Sequence, residues 1–473
     1  MNSFKKVLVF GLGLNEGGVG SARFFARQGA EVRVTDLKTK EVLKSSLDEL
    51  RDFPQIEYTL GEHKNEDIDW ADLIIKNPAI KPGNPYLEYA TKLGKQIDTD
   101  MGIFLQYVRP DQIIGVTGTK GKSTTASLIY EVLSKSLGVN LSHPRGGQRT
   151  HPWKNVILAG NIGKSVLDTI SSVKKNSLVV LEISSFQLEA YDTHKISPKW
   201  AVITNITPDH LNYYVTMKDY VFSKRIIGKY QTQNDFLFIR RNDSLIDQAN
   251  FLTGLKAHII RFSKNDLSEN FHPKLLGSHN LENIAAAITV GGTFGIGKKS
   301  ALKILSKFKG IPFRMELIKV WHGVRIYNDT AATSPEAGIQ AIKTLGGNLN
   351  SPLGCLILIC GGMNKKMDYT KYAEVVGKFV KKVFFLEGDS TDEIKKQLSA
   401  RLPDGQAISR QSSDKIAGTY NNFENLLTDI KKIVKPNDII LFSPAATSFN
   451  LFQNEFDRGR KFNQAVKKVF KDA

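Results

Sequence analysis

An apolar pentapeptide, Ile113-Ile114-Gly115-Val116-Thr117, runs directly into Gly118-Thr119-Lys120-Gly121-Lys122-Ser123-Thr124-Thr125 and then into a helical pattern over Ala126–Leu137. A strand that feeds a glycine turn and then a helix needs a parallel neighbour to pack against, so this segment points to a doubly wound α/β sheet. The same order recurs along the chain. Val7–Phe10 reads as a buried strand before a glycine turn and the helix pattern Ser21–Gln28, with further strands at Glu31–Thr35 and Leu73–Lys76. Leu178–Ile183 and Ala201–Asn205 follow the central segment. Leu317–Tyr327 reads as a hairpin turning at His322-Gly323, before strands at Leu356–Cys360, Val383–Leu386 and Ile439–Phe442. Breaks near Arg109-Pro110 and Gly310-Ile311-Pro312 divide the 473 residues into 1–109, 110–310 and 311–473. Residues 140–154, rich in His, Pro, Arg and Gly, read as a surface loop.

The central loop carries phosphate chemistry. The strict form G-x4-G-K-[ST] asks for glycine at position 116, where Val116 stands, and Gly115 falls one place too early. The physics survives in the shorter run. Gly118 and Gly121 let backbone N–H groups close on a phosphate, and the helix N-terminus adds its positive dipole. Lys122 reaches the β/γ-phosphates and Ser123 or Thr124 serves Mg²⁺, so residues 118–124 read as an ATP cradle that includes Thr119 and Lys120.

A second glycine loop, Gly11-Leu12-Gly13-Leu14-Asn15-Glu16-Gly17-Gly18, follows the first strand, and Asp36 ends the second. It approximates a dinucleotide fingerprint, but Glu16 occupies the third glycine position. A literal NAD reading is rejected, because nothing else in the chain calls for a hydride carrier. The two cysteines, Cys355 and Cys360, are too few for a disulfide scaffold. Their five-residue spacing in a strand-like run puts them on opposite faces as core thiols. The N-terminal apolar run stops at Gly11, unlike a signal peptide, and no apolar stretch reaches the ~18 residues of a membrane span. The formal charge of +18 is compatible with nucleic acid, an acidic surface or small polyanions. A nucleic-acid-binding NTPase would need base-stacking aromatics among its basic residues, and none is evident.

An ordered series of motifs then resembles the Mur ligases. It comprises Thr117–Ser123, Glu182-Ile183-Ser184-Ser185-Phe186-Gln187-Leu188-Glu189 and Asn205-Ile206-Thr207-Pro208-Asp209-His210-Leu211. It continues with Gly277-Ser278-His279-Asn280, Asn283, Pro312-Phe313-Arg314, Asn328-Asp329-Thr330-Ala331-Ala332-Thr333 and Ser443-Pro444-Ala445-Ala446-Thr447-Ser448. The resemblance covers essentially the whole chain and is greatest to the glutamate-adding branch. It implies three α/β domains: a Rossmann-like domain for a UDP-linked substrate, a central P-loop ATPase domain with a parallel sheet, and a Rossmann-like C-terminal domain that brings the amino acid.

The implied activity is ATP-dependent amide ligation through an acyl phosphate, adding glutamate to UDP-N-acetylmuramoyl-L-alanine, with D-glutamate ahead of L-glutamate. Another Mur-type ligase is the alternative, and the N-terminal glycine-loop domain disfavours a folylpolyglutamate synthetase. The resemblance implies catalytic roles for Lys122, Glu182, His210 and Lys224, with two Mg²⁺ sites drawing on Ser123, Glu182, His210 and a carbamylated Lys224. Asn280, Asn283, Arg314 and Asp329 match nucleotide contacts. Leu14, Asn15, Asp36, Asn161, Ser184 and Gln187 match the UDP-substrate path, and Thr333, Lys365, Ser448 and Phe449 the incoming amino acid. Four departures stand out: Ala331 where a lysine is common, a longer Asn15–Gly20 loop, an apparent insertion at Asn140–Lys154, and Glu455 where an aromatic is expected, with Phe456 one place along. The expected protein is a cytoplasmic monomer with no nucleic-acid or membrane partner.

Overall fold

The computed structural model describes residues 4–14, 16–136, 152–160, 165–209, 213–248, 250–268, 271, 273, 275, 277, 279–346, 355–363, 367–399, 415–447, 451–452 and 454–471. The chain divides into two compact units, Met1–Lys274 with Ser278–Phe308 and Leu275–Gly277 with Lys309–Ala473.

The first unit holds two parallel sheets. Strands β1 (Lys6–Phe10), β2 (Glu31–Asp36), β3 (Glu57–Leu60), β4 (Leu73–Lys76) and β5 (Gln96–Asp98) lie in the order β3-β2-β1-β4-β5. Strands β6 (Ile113–Thr117), β7 (Asn155–Gly160), β8 (Ser177–Glu182), β9 (Trp200–Ile203), β10 (Phe236–Arg240) and β11 (His258–Phe262) lie in the order β11-β10-β9-β6-β8-β7. Their near-continuous apolar runs follow from burial on both faces. Ile114, Val116, Leu178 and Val180 pack on the helices Lys122–Ser136 and His279–Thr293. Val179 and Leu181 face the other way and join one core with Val7, Val9, Leu12 and Val19. The first two sheets therefore share a core.

Among the described residues, two ion pairs and a histidine–carboxylate hydrogen bond cross the same junction. Arg23 grips Asp168 through two hydrogen bonds of 2.6 and 3.2 Å. Lys76 meets Glu189 at 2.7 Å, and His194 meets Asp98 at 3.0 Å.

The second unit has one sheet, with strands β12 (Glu316–Trp321), β13 (Val324–Asn328), β14 (Leu356–Gly361), β15 (Lys382–Leu386), β16 (Ile416–Tyr420) and β17 (Ile439–Phe442) in the order β12-β13-β17-β14-β15-β16. Among the strands of the described residues, only the β12–β13 pair is antiparallel. Its two-residue turn is His322-Gly323, with φ of 45° and 80°, the doubly positive pattern that suits a hairpin's twist. The α/β fold class thus holds in all three sheets.

Two expectations need correction. Cys355 and Cys360 are both buried and free, but both pack in the cluster that contains Leu356 and Leu358, not on opposite faces. Cys355 precedes β14, so strand alternation does not govern it. The strand expected at Ala201–Asn205 ends at Ile203, because Thr204 and Asn205 turn away to bond the phosphate loop. Of the expected loop at 140–154, residues 140–151 lie outside the described residues. Among the described residues, no helix is long and apolar enough to cross a membrane.

Candidate active site

The phosphate loop leaves β6 at the centre of its sheet, flanked by β9 and β8, where the strand order reverses. Ligands of open α/β sheets bind at the carboxyl ends of strands at such a point. Gly118 has φ +143° and Gly121 has φ +83°. A Cβ on Gly118 would lie 2.0 Å from Thr204 Oγ1, and one on Gly121 would lie 2.5 Å from Asn283 Oδ1. Both glycines are therefore fixed by sterics as well as by backbone angle.

The loop is bonded on two sides. Asn205 takes the Thr119 amide on its carbonyl (2.9 Å) and the Lys120 amide on its side-chain oxygen (3.0 Å). Thr204 Oγ1 and Asn205 Nδ2 both donate to the Lys120 carbonyl. On the opposite side Thr125 Oγ1 donates to Asn283 Oδ1 (3.1 Å), and Asn283 Nδ2 donates to Asn280 Oδ1 (2.8 Å). Lys122 Nζ curls back onto the carbonyls of Gly118 and Thr119 at 3.1 and 3.0 Å. Ser123 and Thr124 lie half-buried in the first helical turn.

Glu182 ends β8 in register with Val116 and is 2% exposed. Lys224, on the helix Met217–Lys229, is 1% exposed and donates to Thr117 Oγ1 at 3.4 Å. Burial pushes its amine well below the ordinary lysine range, and the Lys122 charge adds to that shift. Asp209 and Glu182 oppose it. The sequence-expected Lys122, Glu182 and Lys224 are thus brought together beneath the loop. His210 lies outside the described residues, as do Asn15, Asn161, Lys365, Ser448 and Phe449.

At the N-terminal sheet, Asp36 spends its carboxylate on the chain itself. It accepts the Gly13 amide at 2.8 Å and the Lys38 amide at 2.9 Å, and so fixes the glycine loop. Leu14 is half-buried beside it. Ser184 and Gln187 bond each other reciprocally, the Ser184 amide to Gln187 Oε1 (3.0 Å) and the Gln187 amide to Ser184 Oγ (3.3 Å). The turn that carries them is closed by its own side chains.

In the second unit, Asp329 follows β13 and is buried. Its oxygens accept from the Met315 amide (3.1 Å) and Ser443 Oγ (3.0 Å), tying the Arg314 turn to the ends of β13 and β17. Burial pushes its carboxyl up to about 7, against the opposing pull of those bonds and of Arg314. Arg314 is exposed, between Phe313 and Met315, which both have positive φ. Thr333 is half-buried in the following turn, and Phe456 packs edge-on against Phe313 at 6.2 Å.

Sequence reasoning missed three contributors. Tyr220 is buried and holds Thr119 Oγ1 at 3.0 Å. Thr204, just before the Asn205 motif, fills the space left by Gly118. Arg458 is fully buried and bonds Thr330 Oγ1, the Thr330 carbonyl and the Ala446 carbonyl at 2.9, 2.9 and 3.1 Å. A helical arginine reads from sequence as solvated, and the close packing of the neighbouring Gly459 against Phe313 and Thr330 is visible only in the fold.

Comparisons with known proteins bear on the family and the fold. Family models match residues 5–98 (Mur ligase MurD-like, N-terminal domain), 116–273 (Mur ligase middle domain) and 313–446 (Mur ligase, glutamate ligase domain). The chain is 34% identical to a UDP-N-acetylmuramoylalanine--D-glutamate ligase of Roseiflexus sp. (strain RS-1), covering 98% of both chains. It is 36% identical to the protein of the same name from Borreliella afzelii (strain PKo), covering 97% of both. In fold it is similar to MurC, UDP-N-acetylmuramate-alanine ligase, from Thermotoga maritima: TM-score 0.55, 18% identity, 98% and 99% of the two chains. A MurF structure from Acinetobacter baumannii superposes with TM-score 0.57 at 13% identity, over 99% and 94%. With matched segments in all three sheets and relatives above 30% identity along nearly its full length, the chain belongs to the Mur ligase family.

Proposed function

We propose that this Mur ligase uses ATP to join D-glutamate to the alanyl carboxylate of UDP-N-acetylmuramoyl-L-alanine, a step of peptidoglycan precursor synthesis, acting as a cytoplasmic monomer. One observation carries the chemistry: the phosphate loop, Glu182 and Lys224 meet at the carboxyl edge of one sheet. The choice of substrates rests on the names of the full-length relatives.

In the first step a carboxylate oxygen of the alanyl group attacks the γ-phosphorus, and the bond to ADP breaks. The glutamate amine then attacks the acyl carbon and loses a proton, and the tetrahedral intermediate expels phosphate. The backbone amides of residues 118–124 and Lys122 bind the phosphates, and the loop's bonds to Asn205 and Asn283 hold them ready before ATP arrives. Asn280, Asn283, Arg314 and Asp329 serve the nucleotide. Leu14, Asn15, Asp36, Asn161, Ser184 and Gln187 serve the UDP substrate, with Asp36 acting by shaping the glycine loop. Thr333, Lys365, Ser448 and Phe449 serve glutamate.

The donor set fits magnesium, a hard cation that takes oxygen ligands: Ser123 offers a hydroxyl and Glu182 a buried carboxylate. Together with His210 and Lys224 they would hold it, and the bound metal would offset repulsion between the substrate carboxylate and ATP. Lys224 suits carbamylation, because burial disfavours its charged form, and the uncharged amine is the form that adds to CO₂, losing a proton to leave an anionic oxygen donor.

The test is ADP release from purified protein with UDP-N-acetylmuramoyl-L-alanine and either D- or L-glutamate. Release that requires the UDP-sugar together with D-glutamate is expected. Release with glutamate alone, or equal rates with L-glutamate, refutes the assignment.

A further inference from the structure

Three tyrosine rings form a row along the carboxyl edge of the central sheet, with a phenylalanine packed beside two of them. Phe186 comes from the turn after β8, Tyr213 and Tyr214 from the segment after β9, and Tyr220 from the helix Met217–Lys229. Ring centroids are 4.6 Å apart for Phe186 and Tyr213, 5.0 Å for Tyr213 and Tyr214, and 5.3 Å for Tyr214 and Tyr220, while Phe186 and Tyr214 are parallel at 6.0 Å. One end of the row is anchored where Tyr220 meets Thr119 of the phosphate loop. At the other end the Tyr213 hydroxyl makes a long bond of 3.5 Å to the carbonyl of Ile80. Ile80 lies against Gly11, where a Cβ would come within 3.2 Å of its side chain. The row thus runs from the glycine loop to the phosphate loop.

Tyr220 is buried, but Phe186, Tyr213 and Tyr214 are only half-buried, so part of the aromatic surface stays open. This inference rests on the function proposed above. A UDP-sugar held at Gly11–Gly13, with its alanyl carboxylate delivered to Glu182 and Lys224, must lay its pyranose across the ground between. A pyranose presents a face of C–H bonds, and the negative face of an aromatic ring complements such a face. We infer that Tyr213, backed by Phe186, is the surface on which the muramoyl ring of the substrate rests, making it a specificity-determining residue.

The experiment compares Tyr213→Phe, Tyr213→Leu and Tyr213→Ala in the full chain. It reads KM for UDP-N-acetylmuramoyl-L-alanine, KM for ATP and the inhibition constant of UDP, which lacks the sugar. Phe should stay within about twofold of wild type throughout. Leu and Ala should raise the UDP-sugar KM about tenfold, with ATP and UDP constants within about twofold. An unchanged UDP-sugar KM in the Ala variant overturns the inference. So does a loss in Phe equal to that in Ala, which would assign the effect to the hydroxyl bond with Ile80. A parallel weakening of UDP overturns it too, because the glycine loop would then have moved. A wild-type protein inactive on this UDP-sugar overturns the functional reading and the inference together.

Discussion

Replacing Gly121 with alanine tests whether the phosphate loop is held in shape before any nucleotide binds. The residue sits at φ +83°, where an L-side chain costs roughly 1–2 kcal/mol. Its new Cβ would stand 2.5 Å from Asn283 Oδ1 and 3.2 Å from Asn283 Cγ. Relief requires the Asn283 amide to turn, which breaks its bonds to Thr125 Oγ1 and Asn280 Oδ1, each worth about 1 kcal/mol. The expected total is about 3–4 kcal/mol. Gly254→Ala is the control: φ is +75°, with nothing within 4 Å of the added carbon, so only the backbone cost of roughly 1–2 kcal/mol remains. Urea unfolding should separate the variants by about 2 kcal/mol. ADP titration should show at least tenfold weaker binding in Gly121→Ala alone. Equal unfolding shifts in the two variants would refute the argument, because the contact with Asn283 would then carry no weight.

Two further outcomes follow from buried ionisable groups in the second unit. Asp329 keeps its proton in the folded protein up to about pH 7, whereas the unfolded chain loses it near 3.8. Its contribution is therefore fully present below about pH 4 and is lost as pH rises to about 7. The total loss is about 4 kcal/mol, and unfolding midpoints measured across that window should slope less in Asp329→Asn. Arg458→Met strands the carbonyls of Thr330 and Ala446 inside the unit and should cost about 3 kcal/mol by urea unfolding. An unchanged midpoint would show that the guanidinium does not hold those turns.

The phosphate loop was legible because its residues are local: strand, glycines, lysine and hydroxyls lie within a dozen positions. Its failed match to the strict pattern has a physical explanation. Gly115 lies inside β6, where a Cβ would meet Pro198 and Ile183 at 2.8 and 2.9 Å, so it serves packing, while Gly118 makes the loop turn. The N-terminal loop departs similarly. With Glu16 at the third glycine position, Gly18 provides a close approach of the helix to the glycine loop, since a Cβ there would lie 2.2 Å from the Leu12 carbonyl. Asp36 ends β2, as the sequence pattern implied, and its carboxylate is spent on the Gly13 amide. What could not be read are contacts between distant segments, such as Arg23 with Asp168 or Arg458 with Thr330, separated by 145 and 128 residues. No local pattern records a partner that only the tertiary fold supplies.

The apolar core common to the first two sheets bears on how such chains can be recombined. Sequence models treat residues 5–98 and 116–273 as separate modules. Val7, Val9 and Val19 nevertheless share one cluster with Val179 and Leu181, and Gly20 of the first helix lies so near Ser165 that a Cβ would come within 2.1 Å of its own. A chimera cut between these modules would join two half-interfaces shaped for other partners. Exchange of the N-terminal segment among relatives should succeed only when the facing residues of the central sheet and the helix Val166–Thr169 travel with it.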